Sequence, residues 1–249
     1  MHTKTSSHPL DSLVQKLQQW RPLAAHEQDA VLALPYKLKE LQAGEYIVRD
    51  GDRVTHSCLL LSGFAFRQKL VGDGGRSISA IHMRGDIVDL QNSLLGVADH
   101  SVQTLTACTM AFIPRDAVKE LAFGVPNVGM AMWYDTLVDG SVFREWIANN
   151  ARRGASSRIA HLLCEFGVRL EAAGLGEKLN YELPMTQEQL ADCTGLTSVH
   201  VNRSLKSLEA NGDITRSKRA VAIANWAKIS RTADFGDAYL HLPASATSS

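Results

Sequence analysis

The stretch MTQEQLADCTGLTSVHVNRSLKSLEANG, residues 185–212, predicts two short helices joined by a tight turn. Thr186 is placed to cap the first helix with its hydroxyl, and Gln189 three residues later completes the pattern of a capping box. Gly195 is expected to end that helix in a left-handed conformation. Thr197 then begins the second helix as its N-cap.

The second predicted helix has one apolar face and one polar face. Val201, Leu205 and Leu208 recur at i, i+4 and i+7, so they lie on one side, which we expect to be buried. The other side carries basic and amide groups. A helix, a glycine turn and a basic helix are typical of a DNA-reading helix-turn-helix, although such a corner also occurs in helical proteins that bind no nucleic acid. The predicted DNA contacts on these helices are Thr186, Gln187, Thr197, Ser198, Val199, His200, Asn202, Arg203 and Lys206.

The residues that follow favour a winged helix. Residues 214–216 and Ala220–Ile223 are predicted to form a β-hairpin around the polar break Ser217-Lys218-Arg219. Lys218 and Arg219, near its tip, are predicted to contact DNA. Residues 198–231 contain seven Lys or Arg and two acids. Such a local excess of positive charge beside the motif indicates binding to DNA phosphates.

The composition is that of an ordinary globular protein. Of the 249 residues 45% are hydrophobic and 21% charged, and 26 basic side chains balance 26 acidic ones. The chain is therefore no polycation, and DNA binding must be confined to a patch. No apolar run approaches the roughly 20 residues that cross a bilayer, and the N-terminus MHTKTSSHPL lacks the apolar core of a secretory signal. We expect a cytoplasmic protein without membrane contact.

The four cysteines, Cys58, Cys108, Cys164 and Cys193, are scattered, and none forms a C-x-x-C pair. They are expected to be buried thiols that pack as small apolar groups. A disulfide framework or a cysteine-ligated metal site is not expected. No metal site and no cofactor are predicted.

The N-terminal half predicts an antiparallel β-sandwich or jelly roll. Between residues 38 and 114, short apolar runs alternate with glycine-containing turns about every ten residues. An amphipathic segment with Leu10, Leu13, Val14 and Leu17 on one stripe precedes them. The fold class is thus α+β, with residues 1–124 as a β-roll sensor domain that includes these N-terminal helices.

A long helix is predicted to begin at Pro126, where the missing N–H costs nothing. It is apolar on more than one side, which favours packing against both its own domain and a second copy in a parallel coiled coil; the alternative is a helix buried in its own domain. Residues 125–152 are the predicted dimerisation helix and hinge, 153–241 the winged helix-turn-helix domain, and 242–249 a disordered tail. The predicted dimer contacts are Met130, Tyr134, Leu137, Val138 and Trp146.

In this order of elements the chain resembles the CRP/FNR family of bacterial transcription regulators. The residues that carry the resemblance are Gly85-Asp86 and the pattern from Leu190-Ala191 through Gly195, Thr197, Val201, Arg203 and Leu205 to Leu208. The resemblance implies a homodimer whose sensor domain controls how two recognition helices meet a palindrome, with RNA polymerase as a further partner.

By position, Arg203 matches the family's recognition-helix arginine, which reads the O6 and N7 atoms of a guanine. Val199 stands where family members commonly have glutamate, and Ser198 where many have arginine, so the half-site is expected to differ. The resemblance also implies that His200 and Asn202 are supplementary readers or phosphate contacts, and that Thr186 and Gln187 meet the DNA backbone.

The sensor half departs from members that bind cyclic AMP. They carry Gly-Glu and then an Arg followed by a small hydroxyl residue, whereas this chain has Gly85-Asp86 and no arginine between Arg84 and Arg115. A phosphodiester without a cationic partner would be poorly held, so the usual cyclic AMP mode is not expected. The candidate effector pocket comprises Gly85, Asp86, Asp99, His100 and Ser101.

Other effectors are constrained in the same way. No cysteine precedes Cys58, which excludes the iron–sulfur cluster of the oxygen-sensing branch. The nine histidines are not paired at a spacing diagnostic of haem. A regulator that needs no ligand, or one that responds to haem or a small metabolite, stays open.

Two other classes of protein are compatible with parts of the sequence. A cupin-like enzyme is disfavoured because the chain has no H-x-H, and H-E-x-x-H, G-x-S-x-G and P-loop motifs are also absent from the sequence. The protein is therefore not expected to be an enzyme, and no catalytic residues are predicted. An interaction protein that uses its winged helix for protein contacts stays open, and its binding to random duplex DNA would lack a steep salt dependence.

Overall fold

The computed structural model describes residues 8–72 and 74–243, so residues 244–249 of the predicted disordered tail lie outside the described residues. The chain divides into two compact units. The first contains the described part of Met1–Arg67 together with His82–Leu137, and the second contains the described parts of Gln68–Ile81 and Val138–Ser249.

The first unit begins with two helices, α1 (Asp11–Trp20) and α2 (Ala25–Leu32). Leu13, Val14 and Leu17 of α1 are buried, as the stripe in the sequence predicts. They belong to a core cluster that also contains Leu59, Ala111 and Ile113. The N-terminal helices therefore cover one face of the β-structure that follows.

Two antiparallel sheets make up the β-roll, which confirms the predicted fold class. One has the strand order β1-β7-β3 and the other β2-β6-β4-β5. Along β3 the side chains alternate: Leu59 joins the cluster under the helices, whereas Cys58 and Leu60 join a second cluster with Val48 and Val102. The strands are β1 (Lys37–Leu41), β2 (Tyr46–Val48), β3 (His56–Ser62), β4 (Ala65–Val71), β5 (Gly75–His82), β6 (Ser101–Thr104) and β7 (Cys108–Pro114), with a short helix α3 (Asn92–Leu95) before β6.

Helix α4 (Arg115–Gly124) follows the last strand, and α5 (Pro126–Arg152) is the predicted long helix, which begins at Pro126 as expected. Its buried apolar residues include Ala131, Val138 and Val142. Arg152 ends the helix, at the last residue of the predicted dimerisation helix and hinge, and Gly154 precedes the next helix.

The C-terminal part of the second unit is a winged helix domain. Its sheet has the order β8-β10-β9, and β8 is a third strand that the sequence analysis did not predict. Helix α6 packs against α7, α8 and α9 and forms the centre of the domain. The elements are α6 (Ala155–Ala172), β8 (Asn180–Glu182), α7 (Gln187–Thr194), α8 (Ser198–Ala210), β9 (Ile214–Ser217), β10 (Ala220–Ile223), α9 (Trp226–Ala233) and a short 3-10 helix (Ala238–Leu240).

All four cysteines are free thiols in buried positions, as predicted. Burial raises the pKa of Cys164 to about 12 and also raises the pKa of the other three thiols. They therefore pack as apolar side chains at neutral pH. Among the described residues, no helix is long and apolar enough to span a bilayer.

Candidate nucleic-acid interface

The first helix of the motif is held by a reciprocal cap. The Thr186 hydroxyl accepts a hydrogen bond from the backbone N–H of Gln189 at 3.2 Å. In return, the Gln189 side-chain oxygen accepts one from the backbone N–H of Thr186 at 2.8 Å. Two backbone donors at the helix start are thereby satisfied. This is the capping box that the sequence predicts.

The turn between the two helices depends on Gly195, which adopts a left-handed conformation with φ of 61° and ends α7. The Leu196 N–H returns to the Ala191 carbonyl at 3.1 Å and closes the helix end. Thr197 then caps α8, because its hydroxyl accepts a hydrogen bond from the His200 N–H at 3.3 Å. The turn fixes the direction in which α8 leaves α7.

Two side chains hold the last carbonyls of α7 from elsewhere in the second unit. The Asn150 amide donates to the Cys193 carbonyl at 3.0 Å, and the Arg158 guanidinium donates to the Thr194 carbonyl at 3.0 Å. Neither residue is among the predicted site residues. No local signal could have found them, because Asn150 lies 43 positions from Cys193 and Arg158 lies 36 from Thr194.

The inner face of α8 is buried as predicted. Val201, Leu205 and Leu208 are at most 1% exposed, and Ser204 lies beside them. This face packs against α6 and α7. Because it is fully occupied, the opposite face of α8 is the one turned to solvent.

Most of the predicted DNA contacts lie on that solvent face. Ser198, Arg203 and Lys206 are exposed, and Val199 is an apolar side chain that is 67% exposed. Asn202 is half-buried. Among the described residues, none forms a hydrogen bond or ion pair with the Arg203 guanidinium or the Lys206 ammonium, so both cations remain available to a ligand.

Four of the predicted contacts are engaged in pairs within the motif. The Asn202 side-chain amide donates to the Gln187 side-chain oxygen at 3.3 Å, which links the recognition helix to the first helix. The His200 ring Nδ1 lies 3.1 Å from the Thr197 hydroxyl. These contacts orient Gln187 and His200 at the edge of the exposed face.

Residues 198–231 retain five cations that are not paired with an acid of the same stretch. Of the seven cations in residues 198–231, Arg216 pairs with Glu209 at 2.8 Å and Lys228 pairs with Asp213 at 3.5 Å. These are the two acids in that stretch. The five remaining cations are Arg203, Lys206, Lys218, Arg219 and Arg231, all on exposed residues.

The wing is a β-hairpin, as the sequence predicts, but its turn has two residues rather than three because Ser217 belongs to the first strand. Ser217 of β9 pairs with Ala220 of β10, which leaves Lys218 and Arg219 at the tip. Both are exposed. Lys218 has φ of 54°, an uncommon conformation for a residue with a side chain. The tip therefore presents two adjacent cations to solvent.

The structure divides the predicted dimer contacts into two groups. Met130, Tyr134 and Leu137 are between 39% and 57% exposed and are accessible on α5. Val138 and Trp146 are a correction: both are buried within the chain, at 8% and 5% exposed. The Trp146 indole also donates to Glu165 at 2.9 Å. Periodicity on a helix that is apolar on several sides could not separate the inward side chains from the outward ones.

Three further apolar residues of α5 belong with the accessible group. Trp133 is 59% exposed, Phe143 is 42% exposed and Ile147 is 57% exposed. Met130, Trp133 and Leu137 are separated by three and then four residues, and this alternation continues through Gly140 and Arg144 to Ile147. A 3-4 alternation is the spacing of a coiled-coil seam, and it is the signal by which the full stripe could have been found.

The first part of the candidate effector pocket is occupied by contacts within the protein. One Asp86 oxygen accepts a hydrogen bond from the Met83 N–H at 3.0 Å, and the other lies 2.9 Å from the Lys16 ammonium. Gly85 sits under α1, since a Cβ there would lie 3.0 Å from the Ser12 carbonyl oxygen. Gly85 and Asp86 thus join the turn after β5 to the N-terminal helix.

The second part of that pocket forms its own polar cluster. His100 is buried, with Nδ1 2.6 Å from an Asp99 oxygen and Nε2 3.4 Å from the Gln91 amide. The Ser101 hydroxyl accepts a hydrogen bond from the Asp50 N–H at 3.0 Å. The role of these five residues as an effector pocket stays a prediction.

A winged helix-turn-helix with an unpaired cationic face, together with an antiparallel β-roll and a long helix, defines the class of DNA-binding sensor-regulators. Comparison with known families gives the same class. Residues 157–232 match the model of the Crp-like helix-turn-helix domain, and residues 38–123 match the cyclic nucleotide-binding domain. Together the two matches cover more than half of the chain.

Individual relatives are similar over most of their length. The transcriptional activator protein FnrL of Cereibacter sphaeroides is 28% identical over 195 residues, which are 77% of this chain and 78% of that one. The fumarate and nitrate reduction regulatory protein of Escherichia coli is 22% identical over 205 residues, covering 82% and 81% of the two chains. The solved structure of FixK2 from Bradyrhizobium japonicum shares the fold, with a TM-score of 0.74 at 21% identity over 80% of this chain and 98% of that one.

The chain belongs to the CRP/FNR family. It is a transcription regulator with a helix-turn-helix DNA-binding domain, and its relatives are regulators rather than enzymes. Regulators of this family bind DNA and act as dimers.

Proposed function

We propose that this protein is a homodimer that reads a roughly palindromic duplex, with one α8 in the major groove of each half-site. The observation that carries the proposal is the outer face of α8, where the Arg203 guanidinium is exposed and has no partner among the described residues. Half-site centres are expected about one helical turn apart. Because DNA is the proposed ligand, the cytoplasm is the proposed compartment.

Arg203 is proposed to read a guanine. Its planar fork fits the O6 and N7 acceptors together, a contact that discriminates by about 1–3 kcal/mol. An arginine already paired with a carboxylate would first have to break that pair. Glu209, the acid on the same helix, is instead paired with Arg216, which leaves Arg203 available.

Val199 is proposed to contact a thymine methyl group. It is 67% exposed and offers only methyl groups, which is the kind of surface that a thymine C5-methyl accepts. Together with Ser198, it makes the half-site differ from those of members with glutamate and arginine at these positions.

The remaining predicted contacts are proposed to position the protein on the duplex. Lys218 and Arg219 at the wing tip and Lys206 on α8 supply charge for phosphates, a contribution independent of sequence. Thr186 and Gln187 lie at the start of α7 and are proposed to meet the DNA backbone there. His200 and Asn202 are proposed as supplementary readers or phosphate contacts.

The second copy is proposed to cover the apolar stripe on α5. Met130, Trp133, Leu137 and Ile147 are exposed at the spacing of a coiled-coil seam. Large side chains at such a spacing rarely stay in water without a partner. A two-fold axis along this seam gives the pair of recognition helices that a palindrome requires. RNA polymerase is the proposed further partner at promoters.

We further propose that control does not use cyclic AMP in the family's usual mode. Asp86 is engaged by Lys16 and the Met83 N–H, and no arginine follows it before Arg115. A carboxylate in this position repels a phosphodiester. Added cyclic AMP is therefore expected to leave the melting temperature and the DNA affinity unchanged. An absorption spectrum and mass analysis of the purified protein distinguish haem or a small metabolite from control by abundance alone.

The experiment that tests the proposal is selection of bound DNA from a genomic or random pool with the purified protein. We expect enrichment of a palindrome with a guanine in each half-site. A pool that returns no common sequence, with binding that also lacks a salt dependence, would overturn DNA reading and favour a protein-contact role for the winged helix.

A further inference from the structure

A buried carboxylate lies where three parts of the second unit meet. Glu165 of α6 is 1% exposed. One of its oxygens accepts hydrogen bonds from the Trp146 indole of α5 at 2.9 Å and from the Tyr239 hydroxyl of the C-terminal segment at 2.8 Å. The Arg169 guanidinium donates to the other oxygen at 3.3 Å. Glu165 thus ties the long helix and the end of the described chain to the centre of the winged helix domain.

Further contacts hold the C-terminal segment in the same place. The Tyr239 ring stacks on His161 with centroids 5.9 Å apart and planes 18° apart, and its hydroxyl lies 3.2 Å from His161 Nε2. Phe235 packs edge-on against His161 at 5.1 Å. Arg153 donates to the Asp234 carbonyl at 2.9 Å and to Glu145 of α5 at 2.7 Å.

Burying a carboxylate in this way costs desolvation free energy, so stability alone does not explain the arrangement. Burial raises the pKa of Glu165, and the Arg169 charge with the hydrogen bonds from Tyr239 and Trp146 acts in the opposite direction. A buried charge is tolerated only when several donors converge on it. Well-packed apolar residues in the same place often stabilise a fold equally or more. What such a cluster adds is one defined geometry, since its donors must all point at the same two oxygens.

We propose that Glu165 is a positioning residue that fixes the angle between the end of α5 and the helix-turn-helix, with Trp146 and Tyr239 as its two partners. This inference rests on the proposed function, in which two copies joined along α5 present their recognition helices to one palindrome. A recognition helix displaced by roughly one base-pair step, about 3.4 Å, no longer meets the same base edges. The joint therefore sets which half-site spacing the dimer accepts.

The chain offers a matched control for this joint. Tyr181 of β8 is also a buried tyrosine, and its hydroxyl donates to the Leu163 carbonyl of α6 at 2.6 Å. That hydrogen bond lies wholly inside the winged helix domain and does not reach α5. Tyr181→Phe therefore removes a comparable hydrogen bond without loosening the joint.

The test compares Tyr239→Phe, Trp146→Phe and Tyr181→Phe in the full-length protein. Each is titrated with the selected palindrome, with palindromes whose half-sites are one base pair closer or further apart, and with a duplex that carries a single half-site. For Tyr239→Phe and Trp146→Phe we expect palindrome affinity to fall about tenfold, single-half-site affinity to stay unchanged, and discrimination between spacings to shrink. Tyr181→Phe is expected to lower the melting temperature and keep the wild-type ratios.

The possible outcomes separate the two proposals. Sedimentation at the assay concentration checks that each variant is a dimer, and circular dichroism checks that it is folded. If Trp146→Phe does not fold, Tyr239→Phe alone is used for the test. If the joint variants keep the wild-type spacing preference and ratio of affinities, Glu165 is only a stabilising residue and this inference is wrong. If the wild-type protein prefers no sequence, the proposed function fails first; an unchanged preference of Arg203→Ala removes only Arg203 from the reading role.

Discussion

At the residue scale, we propose that Arg203 selects a base and that the wing supplies affinity that does not depend on sequence. The two roles differ because a guanidinium on a guanine edge distinguishes sequences, whereas a cation on a phosphate does not. Arg203 lies on the solvent face of α8, and Lys218 lies at the tip of the hairpin. Substitution of Arg203 should therefore change the base preference, whereas substitution of Lys218 should change the affinity for all duplexes.

Arg203→Ala is expected to relax the preference at one base position and weaken the selected site by about tenfold or more, with little effect on random duplex. Lys218→Ala is the matched control, because it removes one exposed charge without removing a base contact. It should weaken all duplexes to a similar degree and reduce the salt dependence by about one ion. Fluorescence anisotropy at several salt concentrations measures both effects. Identical behaviour of the two variants would remove Arg203 from the reading role.

Asp89 is a second informative residue, in the β-roll. It is fully buried, its oxygen accepts the Cys58 N–H at 3.0 Å, and burial raises the pKa of its carboxyl to about 7. In the unfolded chain the pKa is about 4. Between these two values the folded state keeps a proton that the unfolded state has lost, so the free energy of unfolding falls as pH rises from about 4 to 7.

Asp89→Asn is expected to remove this pH dependence and to stabilise the protein relative to wild type above pH 7. Urea unfolding at pH 5, 6, 7 and 8 measures it. The difference between variant and wild type is the relevant quantity, because His161, whose pKa burial lowers to about 4, contributes the opposite slope below about pH 6.5. Asp116→Asn, at an exposed carboxyl of α4, is the control. If both variants follow the wild-type profile, Asp89 is not the titrating group.

At the scale of elements, the helix-turn-helix depends on the geometry of its turn. Gly195 has φ of 61°, and a Cβ there would find only the Arg158 guanidinium at 3.7 Å, which is ordinary contact. The cost of a side chain is therefore conformational rather than steric. The direction of α8 follows from this one left-handed residue together with the two caps.

Gly195→Ala is expected to lower the free energy of unfolding by about 1–2 kcal/mol, the cost of a left-handed conformation with a Cβ. Gly124→Ala is the matched control, since Gly124 ends α4 with an ordinary φ and nothing within 4 Å of a Cβ. It should be neutral or slightly stabilising. Chemical denaturation measures both, and equal destabilisation of the two variants would contradict the role of the left-handed turn.

At the scale of the whole molecule, the apolar stripe of α5 is the proposed dimer interface. Leu137 lies in the middle of the stripe and is 57% exposed. Leu94 on α3 is 62% exposed but lies outside α5. Substitution of Leu94 removes an exposed leucine but leaves the stripe intact, whereas substitution of Leu137 removes an exposed leucine from the stripe itself. Comparing the two variants therefore isolates the contribution of the stripe.

Leu137→Glu is expected to convert the dimer to a monomer and to abolish tight binding to the palindrome, because it places two like charges opposite each other in an apolar seam. Its melting curve at low protein concentration should resemble that of wild type. Leu94→Glu should leave the protein dimeric. Sedimentation velocity over a range of concentrations decides the question, and a dimeric Leu137→Glu variant would place the interface elsewhere.

The local sequence predicts the helix caps, the left-handed turn, the buried face of α8 and the wing. Each depends on residues within about ten positions of one another, as with Thr186 and Gln189 or Val201 and Leu208. Helix and strand periodicity and backbone capping act over this range, so their signals survive without tertiary information. The helix-turn-helix and its wing, which form the proposed DNA-reading surface, are therefore determined by local sequence.

Tertiary structure alone decided which sides of α5 face inward and what its end contacts. Trp146 and Val138 were predicted among the outward side chains of α5, whereas both are buried in the chain. The hydrogen bond from Tyr239 to Glu165 spans 74 positions. No spacing rule marks such a pair, because packing rather than periodicity brings distant residues together. That is why the local sequence predicts the proposed DNA-reading surface, whereas the contacts of the proposed joint emerge only from the fold.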